Sequence, residues 1–203
     1  MKITKEELEK IKKLEGKARG QTIKNALQSV LIMEKEEGLG KLEKKLKELG
    51  YWLDIYKDYK KIKTFAWYPL WYDLLPIIVA ADLFGWDEEK IKQFGVYNQK
   101  VSFFEKILLK YFISLRVVFE VARDRWRKHY SVGDLEPIEF NEKEKYAILR
   151  LKNFSGHPAF CPLLSGYFES ATSFVTVSRR VISEETKCPF RGDPYHEYLV
   201  KWE

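Results

Sequence analysis

Apolar positions recur every three or four residues through the first half of the chain and every second residue near its end. The pattern predicts a helical part followed by a strand-bearing part. From Thr22 to Glu36 the apolar positions are Ile23, Ala26, Leu27, Val30, Leu31 and Met33. Beyond Gly38 and Gly40 the period continues at Leu39, Leu42, Leu46 and Leu49 and stops at Gly50. This spacing predicts two helices with a glycine break between them, folded as a tight antiparallel pair. A short amphipathic helix is expected over 4–14, with Thr4 as its N-cap and Glu7 completing a capping box. Residues 51–66 show no clear period. A helix is expected from Tyr68 to Phe84, with Pro69 in its first turn, a kink at Pro76 and an end at Gly85. Asp87 is placed to cap a short helix through Phe94, broken by Gly95 and Asn98. The longest helix is expected from Ser102 to Tyr130, where Phe104, Leu108, Tyr111, Leu115, Val118, Ala122 and Trp126 step by three or four.

After Gly133 the texture changes. LEPIEF and KYAILRLKNF read as strands joined by the turn-prone NEKE. A helix opening at Pro158 is expected over 158–173. FVTVSRRVISEE and YHEYLVKW alternate as strands, separated by the turn-forming TKCPFRGDP. Helices first and antiparallel strands afterwards, with one helix inserted, predict an α+β fold. We expect one domain over 1–203, with a helical part at 1–130 and a sheet part at 131–203.

Charge and composition narrow the function classes. The formal charge of +6 invites a nucleic-acid reading, but the lysines of 1–63 alternate with glutamates, as solvated helix faces do. No basic stripe is present, so no nucleic-acid partner is expected. The same Lys/Glu enrichment resembles that of thermophilic proteins. The longest apolar run, Leu74 to Leu83, is too short to span a membrane and contains Pro76 and Asp82. The sequence MKITKEELEKIKK has no apolar signal stretch, so a cytoplasmic location is expected.

The most specific chemistry lies near the C-terminus. On the strand ending at Glu185, that residue shares a face with Val175, Val177 and Val181; His196 shares one with Tyr198, Val200 and Trp202. A hairpin would bring Glu185 and His196 together with Cys188 arching over them, and Cys161 begins the preceding helix. Two thiols, a carboxylate and an imidazole form a plausible zinc set, and four protein ligands make such a site structural rather than catalytic. The alternative is ordinary: two buried thiols, Glu185 paired with Arg179 or Lys187, and His196 as a core imidazole. His157 is a second imidazole, whose neighbour Pro158 marks it as a helix-entry residue.

The stretches HPAFCPLLSGYFES and ISEETKCPFRGDPYHEYLVKW resemble the 4-vinyl reductase domain. Cys161, Gly166, Glu185, Cys188 and Gly192 match that pattern, and His196 stands where the family has its last cysteine. The resemblance implies a zinc role for Cys161, Glu185, Cys188 and His196. The helical half is similar to the wider superfamily that joins these domains to haem nitric-oxide sensors and trafficking-particle subunits. It implies a closed cavity for an apolar aromatic or acyl molecule. Trp71, Tyr111 and Trp126 are our candidates for its lining. Tyr111, Ser114 and Arg116 resemble a Tyr-x-Ser-x-Arg haem-propionate motif, but with one residue too many, and haem is not expected.

A small-molecule-binding, sensor-like domain is therefore the leading function. One alternative is an interaction protein, dimeric through its N-terminal helices. The other is a vinyl-reductase-type enzyme. That one finds little support, because no dinucleotide fingerprint, nucleophile elbow or HExxH stands in the sequence.

Overall fold

Thr4 opens the first helix as expected. Its hydroxyl accepts from the Glu7 backbone N–H, and the Glu7 carboxylate accepts from the Thr4 backbone N–H. The structure is a computed structural model that describes residues 3–50, 59–101, 114–154, 156–176, 178 and 180–203. Helix α1 covers Lys5–Lys12, strand β1 Lys17–Arg19 and helix α2 Gly20–Glu48. Strand β2, Trp67–Pro69, pairs antiparallel with β1. Helices α3 (Trp71–Phe84), α4 (Glu88–Val101), α5 (Leu115–Glu120) and α6 (Ala122–His129) follow. Strands β3 (Asp134–Asn141) and β4 (Tyr146–Lys152), helix α7 (Phe160–Val175), and strands β5 (Val181–Lys187) and β6 (His196–Trp202) complete the order. The architecture is α+β, with one four-stranded antiparallel sheet in the order β3-β4-β6-β5.

Several predicted boundaries move, each for a local reason. The break in the second helical segment falls at Lys35, at φ +61°, and not at the glycines. Gly38 and Gly40 lie within α2. A Cβ on Gly38 would sit 2.2 Å from Glu34 Cβ, so the bend needs a bare backbone there. Glu34 then accepts from Trp86 Nε1 at 2.8 Å. Pro69 belongs to β2 rather than to a helix. Asp87 caps α4 as expected, accepting from Lys90 N at 2.8 Å, but the helix continues through Gly95 and Asn98 to Val101. Of the expected long helix, 102–113 lies outside the described residues. The remainder is two helices, because Ser114 caps α5 and the chain departs from helical geometry at Val121. Likewise α7 persists to Val175, so the strand predicted to begin there starts instead at Val181.

Gly95 survives inside α4 because the helix crosses α7 with almost no separation. A Cβ on Gly95 would meet Leu163 O at 2.0 Å, and one on Gly166 would meet Lys92 O at 1.9 Å. Each helix offers a glycine to the other's backbone. Beside the crossing, Lys92 pairs with Glu169 at 2.9 Å and donates to Ser183 O, while the Ser183 N–H donates to Glu169. That cluster fastens both helices to β5. The opposite face of α7 covers the sheet, whose inner positions Leu149, Leu151, Tyr198 and Val200 are buried in strict alternation.

Candidate functional site

The four polar residues singled out in the last part of the chain meet at one end of α7. Cys161 enters from the first turn of that helix. Glu185 and His196 come from the paired strands β5 and β6, and Cys188 from the short 3-10 turn between them. One ligand atom from each lies within 4.8 Å of all the others. The thiols of Cys161 and Cys188 are 3.5 Å apart, and Cys161 Sγ is 3.8 Å from His196 Nδ1. A tetrahedral ion with Zn–S bonds of about 2.3 Å would hold two sulfurs roughly 3.8 Å apart. His196 Nδ1 and Glu185 Oε1 are 2.8 Å apart, a direct hydrogen bond that an ion would stretch by about half an ångström.

The surrounding turn explains why these residues converge. Asp193 Oδ2 accepts from the Cys188 backbone N–H at 2.8 Å, and Cys188 O accepts from Arg191 and Asp193. Gly192 closes the turn at φ +96°, a backbone state that favours glycine. A bulge between Glu185 and Lys187 interrupts the β5–β6 register next to the cluster. Arg191 lies 3.5 Å from Glu185, in the place that the alternative reading gives to Arg179 or Lys187. Lys187 pairs with Glu197, and Arg179 lies outside the described residues. The His196 ring is stacked on Tyr198 and lies near Phe190. Its Nε2 has no hydrogen-bond partner among the described residues. His157 stands apart, with its Nδ1 accepting from Ala159 N at the entry to α7.

The electrostatics of the cluster oppose a bare thiolate at Cys161. Burial, followed by the Glu185 charge and the neighbouring Cys188, pushes the Cys161 thiol well up. Burial also acts to raise Glu185, but hydrogen bonds involving His196, Cys161 and Cys188 outweigh it and hold the carboxyl below its ordinary value. With both thiols deprotonated, the cluster would carry more negative charge than Arg191 offsets, an arrangement suited to a metal cation.

The second feature is a cavity of about 140 Å³ between the helices and the sheet. Ile77 of α3, Phe119 of α5, Trp126 of α6, Leu163 and Phe168 of α7, and Val200 of β6 contribute apolar walls. Trp71 is not among its lining residues, and Tyr111 lies outside the described residues. Polar side chains interrupt the wall, among them Thr22, Asn25, Asp73, Gln99, Arg125 and His129. Asp73 is almost wholly buried and accepts from the Tyr130 hydroxyl at 2.9 Å. Burial pushes the Asp73 carboxyl up to about 6, against the opposing pull of Tyr130, Thr22 and His129. Gln99 accepts from the Ser170 hydroxyl of α7 at 2.9 Å. The sequence reading missed Asp73, Gln99 and Asp193. For Asp73 a signal existed: a lone acid inside the otherwise apolar run WYDLLPIIVAA.

No family model and no curated protein matches the sequence. Solved structures do. An H-NOX protein from S. oneidensis in the Fe(II)NO ligation state superposes with a TM-score of 0.67 at 11% identity, over 91% of this chain and 99% of that one. An oxygen-binding H-NOX domain related to soluble guanylate cyclases, in its oxygen complex, gives 0.65 at 10% identity, over 91% and 95%. A trafficking protein particle complex subunit 3 from Naegleria fowleri, covalently bound to palmitic acid, matches 62% of this chain and 89% of its own at 15% identity, with a TM-score of 0.46. At these identities the H-NOX likeness is one of fold: helices, antiparallel sheet and their connection are arranged as in H-NOX domains.

Proposed function

We propose that the chain is a small-molecule-binding, sensor-like domain in which Cys161, Glu185, Cys188 and His196 hold a structural zinc ion, and whose interior cavity accepts an apolar aromatic or acyl ligand. The convergence of two thiols, a carboxylate and an imidazole within 4.8 Å carries the metal reading. The S₂NO donor set suits zinc, and four protein ligands leave no open position for chemistry. The 4-vinyl reductase resemblance adds support, because each matched position has a local reason to be what it is. Gly166 admits the α4 backbone, and Gly192 turns the loop that aims Cys188.

The structural neighbours include one that probes the function of heme distortion in the H-NOX family. The described residues of this chain do not fit that group. His129 lines the cavity, but the space is about 140 Å³, below the roughly 300–1,000 Å³ of drug-sized sites, and a porphyrin is larger than many such ligands. Ser114 is occupied in capping α5. Arg116 lies over Phe140 and beside Glu120, so neither is reserved for a propionate.

Elemental analysis of the purified protein tests the metal. We expect close to one zinc per chain, lost in Cys188→Ser and released in acid as the thiolates protonate. Zinc content unchanged by that substitution would remove Cys188 from the site.

A further inference from the structure

We propose that the outer face of the β1–β2 ribbon docks on an anionic lipid bilayer, with the Phe65 ring entering the headgroup layer and Lys17, Arg19, Lys24 and Lys63 meeting lipid phosphates. The proposal goes beyond the zinc and cavity readings and depends on neither.

Phe65 is 83% exposed, the most open large apolar side chain among the described residues. Its backbone is nonetheless tied down. The Arg19 guanidinium donates to Phe65 O, and Gly20 N and Gln21 N donate to Ala66 O and Thr64 O at 2.9 and 3.0 Å. The ring therefore projects from a fixed segment. Beside it, Trp67 pairs across the ribbon with Arg19, and Pro69 with Lys17. Ala18, between the two cations, is fully buried. By the two-residue period of a strand, Lys17, Arg19, Trp67 and Pro69 share the outward face.

Cations surround this face and acids do not balance them. Residues 16–33 and 59–72, which build the ribbon and its flanks, contain no acidic residue. Glu15 and Asp58 border these stretches, too few to offset Lys17, Arg19, Lys24, Lys63 and Lys128. Lys24 reaches from α2 to Lys60 O at 3.3 Å, which sets its ammonium beside the loop that carries Phe65. Arg19 Nε donates to Lys128 O at 3.1 Å, which brings the basic last turn of α6 to the same edge. None of these five cations makes an ion pair with an acid among the described residues. Lys10, Lys41 and Lys47 elsewhere are each bound to a glutamate four residues earlier.

The chemistry favours a bilayer over other polyanions. The Arg19 guanidinium covers the Trp67 ring, 3.8 Å from its centroid, so that face offers no platform for a nucleic-acid base. A protein partner would need a pocket shaped for Phe65, whereas a headgroup layer admits a projecting ring without one. Exposed aromatics set among lysine and arginine match the chemistry of an anionic interface.

Cosedimentation of the full chain with vesicles tests this, using phosphatidylcholine alone and phosphatidylcholine mixed with phosphatidylserine. We expect binding to the mixture only, weakening as sodium chloride is raised, because exposed charges are screened. Lys17→Gln combined with Lys63→Gln should lower the partition about 30-fold, since each cation near such a surface contributes about fivefold. Phe65→Ser should lower it about tenfold and leave the melting temperature unchanged, because the ring touches little of the fold. Lys90→Gln combined with Lys143→Gln, at the start of α4 and in the β3–β4 turn, removes the same charge and should bind as the native protein does. A native protein that ignores the mixed vesicles, or binds both kinds alike, would overturn the proposal. Equal weakening by the Lys90 and Lys143 pair would replace the ribbon with diffuse charge. Unchanged partition in Phe65→Ser would remove the ring from the interface. Stronger binding to polyuridylate than to vesicles, weakened by the same Lys17 and Lys63 substitutions, would assign the face to RNA instead.

Discussion

The two polar centres of the molecule are built from opposite materials. The cysteine cluster draws four ligating groups from the last part of the chain, and every one of them points at the same small volume. The cavity draws on α2 through α7 and the sheet, and its mostly apolar walls carry scattered polar side chains such as Asn25, Asp73 and Arg125. The cluster asks for a charge, and the cavity asks for a shape. The difference teaches that a buried region announces a ligand by what remains unmatched, and that the unmatched quantity identifies the ligand's chemistry.

Helix α7 belongs to both centres, so damaging its seat on α4 should abolish the distinction altogether. Gly166→Val places side-chain atoms where Lys92 O already stands 1.9 Å from a modest Cβ. We expect a loss on the order of 5 kcal/mol, with zinc content and ligand binding falling together, as read by denaturant unfolding. Cys188→Ser should separate the centres. At a metal concentration about a thousandfold above the dissociation constant, bound zinc is worth about 4 kcal/mol, or roughly 10 °C in a domain of this size. The variant should melt lower by that amount and still bind a cavity probe such as ethylbenzene, whereas loss of the probe as well would show that the cavity depends on the ion.

Asp73 sharpens the comparison from the cavity side. Its carboxyl sits at about 6 in the folded protein, above the ordinary value of 3.8. The folded state therefore binds its proton more tightly than the unfolded state does. Its contribution to stability is full below pH 4 and declines as the pH rises to 6, by about 3 kcal/mol in all. Asp73→Asn should remove that decline, which unfolding titrations of both proteins from pH 4 to pH 7 would measure. The smallest effect should come from Trp71→Phe. The indole packs edge-on to Tyr72 outside the cavity lining, so we expect a loss of less than about 1 kcal/mol and no change in probe affinity.

The same contrast explains what the sequence disclosed. The strands β4 and β6 were legible because Ala147, Leu149 and Leu151, and His196, Tyr198, Val200 and Trp202, alternate without exception. The cluster residues were legible because cysteine and histidine are scarce here and spaced around one hairpin. The helix boundaries were less so. Glycine was read as punctuation at Gly38 and Gly95, whereas both lie inside helices: the first leaves room for Glu34 at the Lys35 bend of the same helix, and the second admits the carbonyl of Leu163 from α7. Gln99 was invisible for a related reason. A glutamine in KQFGVYNQKV is unremarkable until Ser170, 71 positions later in sequence, takes its oxygen.

The mutual glycine contact of α4 and α7 also has a mechanical consequence. Backbone bears directly on backbone there, with no compressible side-chain layer between. Cys161 hangs a little more than one turn before Gly166, and Gln99 about one turn beyond Gly95. On the proposed function, an ion and an organic guest would therefore sit on the two arms of one stiff joint. Whatever change in guest affinity follows from loading the ion, titrating the ion with the guest already in place must return the same factor.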